Sequence, residues 1–198
     1  MRKAVWALCL VLLVGCAASK VFIAGNYTFT GKVAVLPLSN ESNDLDAPIF
    51  LRTLLQNGLA ARGFQVLPLT QIDSQLKTEG FTDGGQLKAT TPQKIGEWTG
   101  ADTLLYTTIE NFDYINVGFY SQRKVKIVAS LFDARTGERL WETEREASTR
   151  AVATNKKDAE QLFAVQLAVK AVEKAAHTPL KLESLSTVNQ LLNTLPRR

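Results

Sequence analysis

Three strand-length segments follow one another at residues 102–117, 123–133 and 139–150, and they set the frame of the fold. In the middle segment Val125, Ile127, Ala129 and Leu131 fall on one face, and Lys124, Lys126 and Ser130 on the other. A period of two is what a strand with one buried face requires. Thr136-Gly137 separates the last two segments. It signals a tight hairpin in which glycine takes the positive φ. These residues predict an antiparallel meander.

The chain ahead of the meander alternates differently. Residues 32–39 (KVAVLPLS) form a β-branched apolar run that predicts a buried strand. Asp46 and Pro48 then signal a helix start, a capping side chain followed by a proline in the first turn. Leu51, Leu54, Leu55, Gly58 and Leu59 share one face of that helix, and Gly63 ends it. Residues 64–67 read as a second short strand. A helix from Thr70 to near Gly80 and another from Thr91-Pro92 to Gly100 follow. Short strands joined by helices pair in parallel, with the helices on the sheet. The expected class is therefore mixed α/β (α+β), in a three-layer-like domain. Its sheet has a parallel N-terminal part and an antiparallel C-terminal meander.

The strongest helical periodicity lies at residues 155–176. Leu162, Val165, Val169, Val172 and Ala176 recur every three or four positions, and Phe163, Leu167 and Ala171 widen the stripe. Such a stripe needs cover, most simply from the sheet. Pro179 ends the helix. A weaker one at 183–195 places Leu185, Val188, Leu192 and Leu195 along one side. The expected organisation is a signal at 1–15, a tether at 16–30, the mixed-sheet domain at 31–178 and a helical tail at 179–198.

The first sixteen residues carry an export signal in its usual order. Arg2 and Lys3 precede an uncharged apolar run from Ala4 to Val14, too short for a membrane span of about 20 residues. Leu13-Val14-Gly15-Cys16 then resembles the lipobox of bacterial lipoproteins, in which the cysteine is acylated, for example with palmitate, and becomes the first mature residue. The only other thiol, Cys9, lies inside the signal. The mature chain therefore has no disulfide and no free thiolate for metal binding or attack. Ala17 follows the cysteine, and the resemblance implies delivery to the outer membrane. Removing residues 1–15 from the 198 leaves 183 and lowers the net charge from +4 to +2. That balance gives no basis for nucleic-acid binding, which wants a clustered basic face.

Few residues suggest chemistry. The loop Asn40, Glu41, Ser42, Asn43, Asp44, Leu45, Asp46 joins a strand to a helix, where open α/β sheets place ligands. Its oxygens could hold a hard cation, but it has neither the glycine and glutamate of an EF-hand nor the pattern of a phosphate loop. A solvated, helix-capping loop is the simpler reading. Glu110 and Asp113, three apart on a strand, are expected on opposite faces and so make no acid pair. The only histidine, His177, ends the long helix, where a positive group suits the helix terminus. No nucleophile motif or metal-ligand spacing accompanies it. No enzyme and no cofactor are expected. Phe112, Tyr114, Phe119 and Tyr120 surround Gly118 at a hairpin, and serve either as a contact patch for a partner or membrane or as packing beneath the turn.

Several segments in order carry a wider resemblance: VAVLPL at 33–38, DAPIFLRTLL at 46–55, ARGFQVLP at 61–68, GADTLLYTTI at 100–109 and DARTGERLWE at 133–142. Together they resemble an uncharacterised family of bacterial lipoproteins whose fold is similar to the TolB N-terminal domain and to CsgG. The resemblance implies a compact domain that acts by association, as a homodimer or beside a CsgG-like lipoprotein, with no catalytic residue to carry over. The expected function is a membrane-anchored binding or assembly module for an envelope transport or surface complex. Alternatives are a subunit of a CsgG-like secretion pore and an activator of a cell-wall synthase. A pore needs apolar strand faces turned to lipid, whereas here those faces cover helices. An activator of the known kind uses a long tether, and residues 17–30 span at most about 50 Å.

Overall fold

A computed structural model describes residues 20–25, 27 and 31–196. Cys16 and the signal lie outside the described residues. The elements are β1 (Val21–Ile23), β2 (Lys32–Val35), β3 (Ser39–Asn40), α1 (Ala47–Ala61), β4 (Gln65–Val66), α2 (Leu69–Thr78), a 3₁₀ turn (Gly84–Ala89), α3 (Pro92–Thr99), β5 (Thr103–Val117), β6 (Tyr120–Asp133), β7 (Arg139–Val152), α4 (Lys156–Ala175) and α5 (Lys181–Leu192). The strands join in one seven-stranded sheet, in the order β1-β7-β6-β5-β2-β4 with β3 alongside β5. β2 pairs in parallel with β4 and β5, whereas β5, β6, β7 and β1 pair antiparallel. The mixed sheet expected from the sequence is the sheet observed.

Pleat alternation in β2 divides the core into two layers. Val33 and Val35 face α1 and α5, joined by Leu51, Leu55, Ile109, Ile127 and Trp141. Ala34 and Leu36 face the opposite way, against Ile72 and Leu76 of α2 and Ile95 of α3. Along β6, Val125, Ile127, Ala129 and Leu131 are all buried, as their spacing predicts.

The two C-terminal helices exchange the roles expected of them. No residue of α4 is buried, and Phe163, Val165, Leu167, Val169 and Val172 are exposed. The stripe is not covered by the sheet. That place is taken by α5, the supposed tail, whose Val188, Leu191 and Leu192 are buried together with Leu195. Three local features explain the exchange. Gly58 lets α5 approach α1 so closely that a Cβ there would lie 2.4 Å from Leu192 Cδ1. The Thr187 hydroxyl, which donates to the Glu183 carbonyl at 2.8 Å, also lies within 3.3 Å of the Val125 carbonyl of β6. Glu183, also buried, receives a guanidinium from the sheet. Residues 179–195 are thus part of the domain.

The segment expected as a tether also differs. Val21–Ile23 runs as an edge strand against Trp141–Thr143 of β7. Tyr27 packs on the core. The Asp46 cap is corrected as well: helix α1 starts at Ala47, but the side chain receiving its first N–H groups is Asp44, whose Oδ1 lies 2.9 Å from the nitrogens of Asp46 and Ala47.

Leu191→Ala should cost about 2–5 kcal/mol by cavity formation. Val172→Ala, on the uncovered helix, should change stability by less than about 0.5 kcal/mol. Urea unfolding of both variants checks the exchange, and equal losses would contradict it.

Candidate functional site

Two groups of residues singled out separately in the sequence meet at one cavity of about 310 Å³. Asp44 and Asp46 come from the loop before α1, and Phe112 and Tyr114 from β5. Arg123 of β6 forms the floor, and Lys170, Glu173, Lys174 and His177 close it from α4 and the residues after it. Asn40, Glu41 and Asn43 do not line it. Asn40 instead organises the loop: its Nδ2 donates to the Asp44 carbonyl at 2.8 Å, and its Oδ1 accepts from the Ser42 hydroxyl at 2.7 Å. With Asp44 Oδ1 also occupied, Asn40 and Asp44 spend side-chain oxygens within the loop and on the start of α1, as turn and cap side chains do. Among the described residues no group of three or more His, Cys, Asp or Glu could hold a metal.

Arg123 is the residue that organises the site, and it is 5% exposed. Its Nε donates to Glu183 Oε2 of α5 at 3.2 Å, and its Nη2 donates to Glu173 Oε1 of α4. The same Glu173 oxygen accepts the Lys181 backbone N–H at 3.0 Å. One guanidinium therefore fastens both C-terminal helices to the sheet. Arg123 and Lys170 also lie against the Tyr114 ring, at 6.0 and 5.1 Å from its centroid. Between the helices the backbone turns sharply, with His177 and Leu180 both at positive φ, 50° and 44°. Sequence reasoning missed Arg123. Its signal was parity: residue 123 shares the buried face of Val125 and Ile127, where a charge needs a partner.

The aromatic set is not one patch. Phe112 is in the core, Tyr114 and Tyr120 are partly buried, and Phe119 alone is exposed, at 51%. The expected separation of Glu110 and Asp113 also fails. A β-bulge between Ile109 and Asn111 shifts the register, which puts both on the outward face. They still form no acid pair. Glu110 binds Lys126 at 2.8 Å, and Asp113 accepts from Asn111. With Glu144 on its other side, the Lys126 ammonium is held above its usual pKa range, chiefly by the hydrogen bond to Glu110.

A small mixed α/β domain whose last two helices are clamped to the sheet by a buried guanidinium defines the class. Within that class, a family model described as "Putative lipoprotein GNA1162-like" matches residues 30–194, and the chain belongs to this lipoprotein family. A curated relative, "Putative lipoprotein NMB1124/NMB1162" of Neisseria meningitidis serogroup B, is 28% identical over 109 residues, 55% of this chain and 51% of that protein. The chain thus spans about half the length of that relative. The crystal structure of lipoprotein GNA1162 from Neisseria meningitidis is similar with a TM-score of 0.55 and 25% identity, covering 72% of this chain and 99% of that one. The PelC dodecamer from Paraburkholderia phytofirmans shares the fold at a TM-score of 0.54 and 14% identity, over 91% and 97% of the two chains. The uncharacterised lipoprotein family expected from the sequence is the GNA1162-like one. Neither TolB nor CsgG is among these relatives, and that part of the expectation is carried no further.

Arg123→Met leaves Glu183 buried without its cation and should destabilise the protein by about 3–5 kcal/mol. Glu173→Gln should leave global stability nearly intact while accelerating amide exchange across 156–175. Hydrogen-exchange mass spectrometry separates the two outcomes.

Proposed function

We propose that this chain is exported, cleaved before Cys16, acylated there and held in the cell envelope, where it acts by association and not by catalysis. Delivery to the outer membrane follows from Ala17 in this reading. The observation that carries it is the uncovered apolar arc of α4. Leu162, Val165, Val169, Val172 and Ala176 follow a 3-4-3-4 spacing, the seam of a helix that packs on another helix. Ala164, Ala168, Ala171 and Ala175 flank the seam and permit close approach. No charged side chain occurs from Gln161 to Val169. Each Val or Leu fully buried on docking contributes about 1.5–3 kcal/mol before the cost of association. Four or five such side chains are enough for a specific contact. The partner in this reading is a helix of another envelope polypeptide or of a second copy of this chain.

The remaining ionisable groups of the site support a binding role. Glu173, Glu183 and Arg123 are committed to one another, and Asp44 to the α1 terminus. His177 stands without the nucleophile and orienting carboxylate that acid–base catalysis would need.

A photocrosslinking residue at Val172 in intact cells should capture one defined polypeptide, and Val165→Glu with Val172→Glu should abolish the adduct without lowering the melting temperature. No adduct from Val172, with an unchanged phenotype in the double variant, would remove the association reading. Cys16→Ser should abolish incorporation of labelled fatty acid and move the protein out of the membrane fraction.

A further inference from the structure

The outward face of the meander changes character over its last two rows. Across β5, β6 and β7 the middle of that face is charged, with Lys126 bound to Glu110 and Glu144, and Lys124 to Glu146. Beyond Lys124 the rows become Ile115–Gln122–Arg150 and then Val117–Tyr120–Val152. Val117, Phe119 and Val152 are 69%, 51% and 70% exposed at the turn itself. Large apolar side chains this exposed, grouped at one hairpin end, require a partner phase.

Charge identifies that phase. The two stretches that build this end, 114–123 and 147–157, contain no Asp or Glu. They contribute exposed Arg150, Lys156 and Lys157; among the described residues Lys156 is the one of the three in an ion pair, with Glu160 at 3.9 Å. Of the flanking carboxylates, Glu146 is paired with Lys124, while Asp158 accepts from Asn155 at the start of α4 and keeps its charge. An apolar tip whose own two stretches carry basic but no acidic residues matches the interface of a bilayer with anionic headgroups.

Chain direction points the same way. β1 is antiparallel to β7, so going back from Ile23 to Val21 advances along β7 from Trp141 to Thr143, toward the tip. The nine residues from Thr143 to Val152 cover about 30 Å of strand. The five steps from Val21 back to Cys16 reach at most about 18 Å. Even at full stretch toward the tip, Cys16 therefore stops about 12 Å short of the tip's level, a gap that tilting the domain closes. The domain then leans on its β1 side, with the hairpin as a second foot.

We infer that the β5–β6 hairpin tip, Val117 and Phe119 with Val152, inserts into the headgroup region of an anionic bilayer beside the lipid anchor and fixes the orientation of the domain. This deepens the anchored reading above and rests on it. In the acylated chain the introduced cysteine of Val117→Cys is the only free thiol, because Cys9 is removed and Cys16 is modified. A nitrobenzoxadiazole label there should shift to shorter wavelength and resist iodide quenching in phosphatidylglycerol vesicles, less so in phosphatidylcholine. The same label at Arg135→Cys, in the opposite hairpin, should remain quenchable. A parallel preparation replaces residues 1–15 with hexahistidine, carries Cys16→Ser and binds nickel-chelating lipid. It tests the tip whether or not residue 16 is acylated. Val117→Ser with Phe119→Ser should weaken binding of the unlipidated chain to anionic vesicles roughly a hundredfold. A Val117 label as quenchable on anionic vesicles as the Arg135 label, in both preparations, overturns the inference. Failure of acylation alone overturns the anchor and leaves the tip result standing.

Discussion

A single buried guanidinium ties the last two helices of this protein to its sheet. Arg123 rises from the apolar face of β6 and meets one carboxylate from each of the last two helices. Burying a charge there is costly unless it is paired, and removal of Arg123 would leave Glu183 buried without its cation. The arrangement therefore specifies position more than it adds stability. It sets α5 against the sheet and pins only the C-terminal part of α4, through Glu173. The rest of α4 has little to hold it, which is why its apolar side chains reach solvent. The cavity between that helix, the Asp44 loop and Tyr114 follows from the same clamp.

Much of the architecture could be read from residue order. The alternation in residues 124–131, the Thr136-Gly137 turn and the strand–helix alternation from Lys32 to Gly100 all act locally, and the sheet follows them closely. The C-terminal helices were harder for a physical reason. Periodicity reports that a helix has an apolar face, but not which surface covers it. By stripe width α4 outranks α5, yet α5 carries Glu183 and Thr187, polar groups with defined acceptors or donors on the sheet, and it faces the notch left by Gly58. Those pairings join residues about 60 or more apart, as in Arg123 to Glu183 and Val125 to Thr187, beyond any local window.

The site was legible in pieces. Asp44, Asp46, Phe112 and Tyr114 were all marked by residue type, but nothing local says that a loop after the first strand and a strand 70 residues later share one cavity. Arg123 was hidden in plain alternation. The bulge at Glu110 reversed the facing of one acidic residue because one extra position in a strand shifts every side chain beyond it. β1 was overlooked because three residues are too few to show a period.

The shortness of β1 has a consequence for the free molecule. It pairs with only Trp141–Thr143 of a fourteen-residue strand, and Ala24 just beyond it donates to the Leu140 carbonyl, so among the described residues most of β7 presents an open edge. Open edges invite strand-to-strand stacking between copies. Here the exposed rim carries Glu144, Arg145 and Glu146 in immediate succession. Juxtaposed copies would have to desolvate all three, and that cost discourages fibre growth.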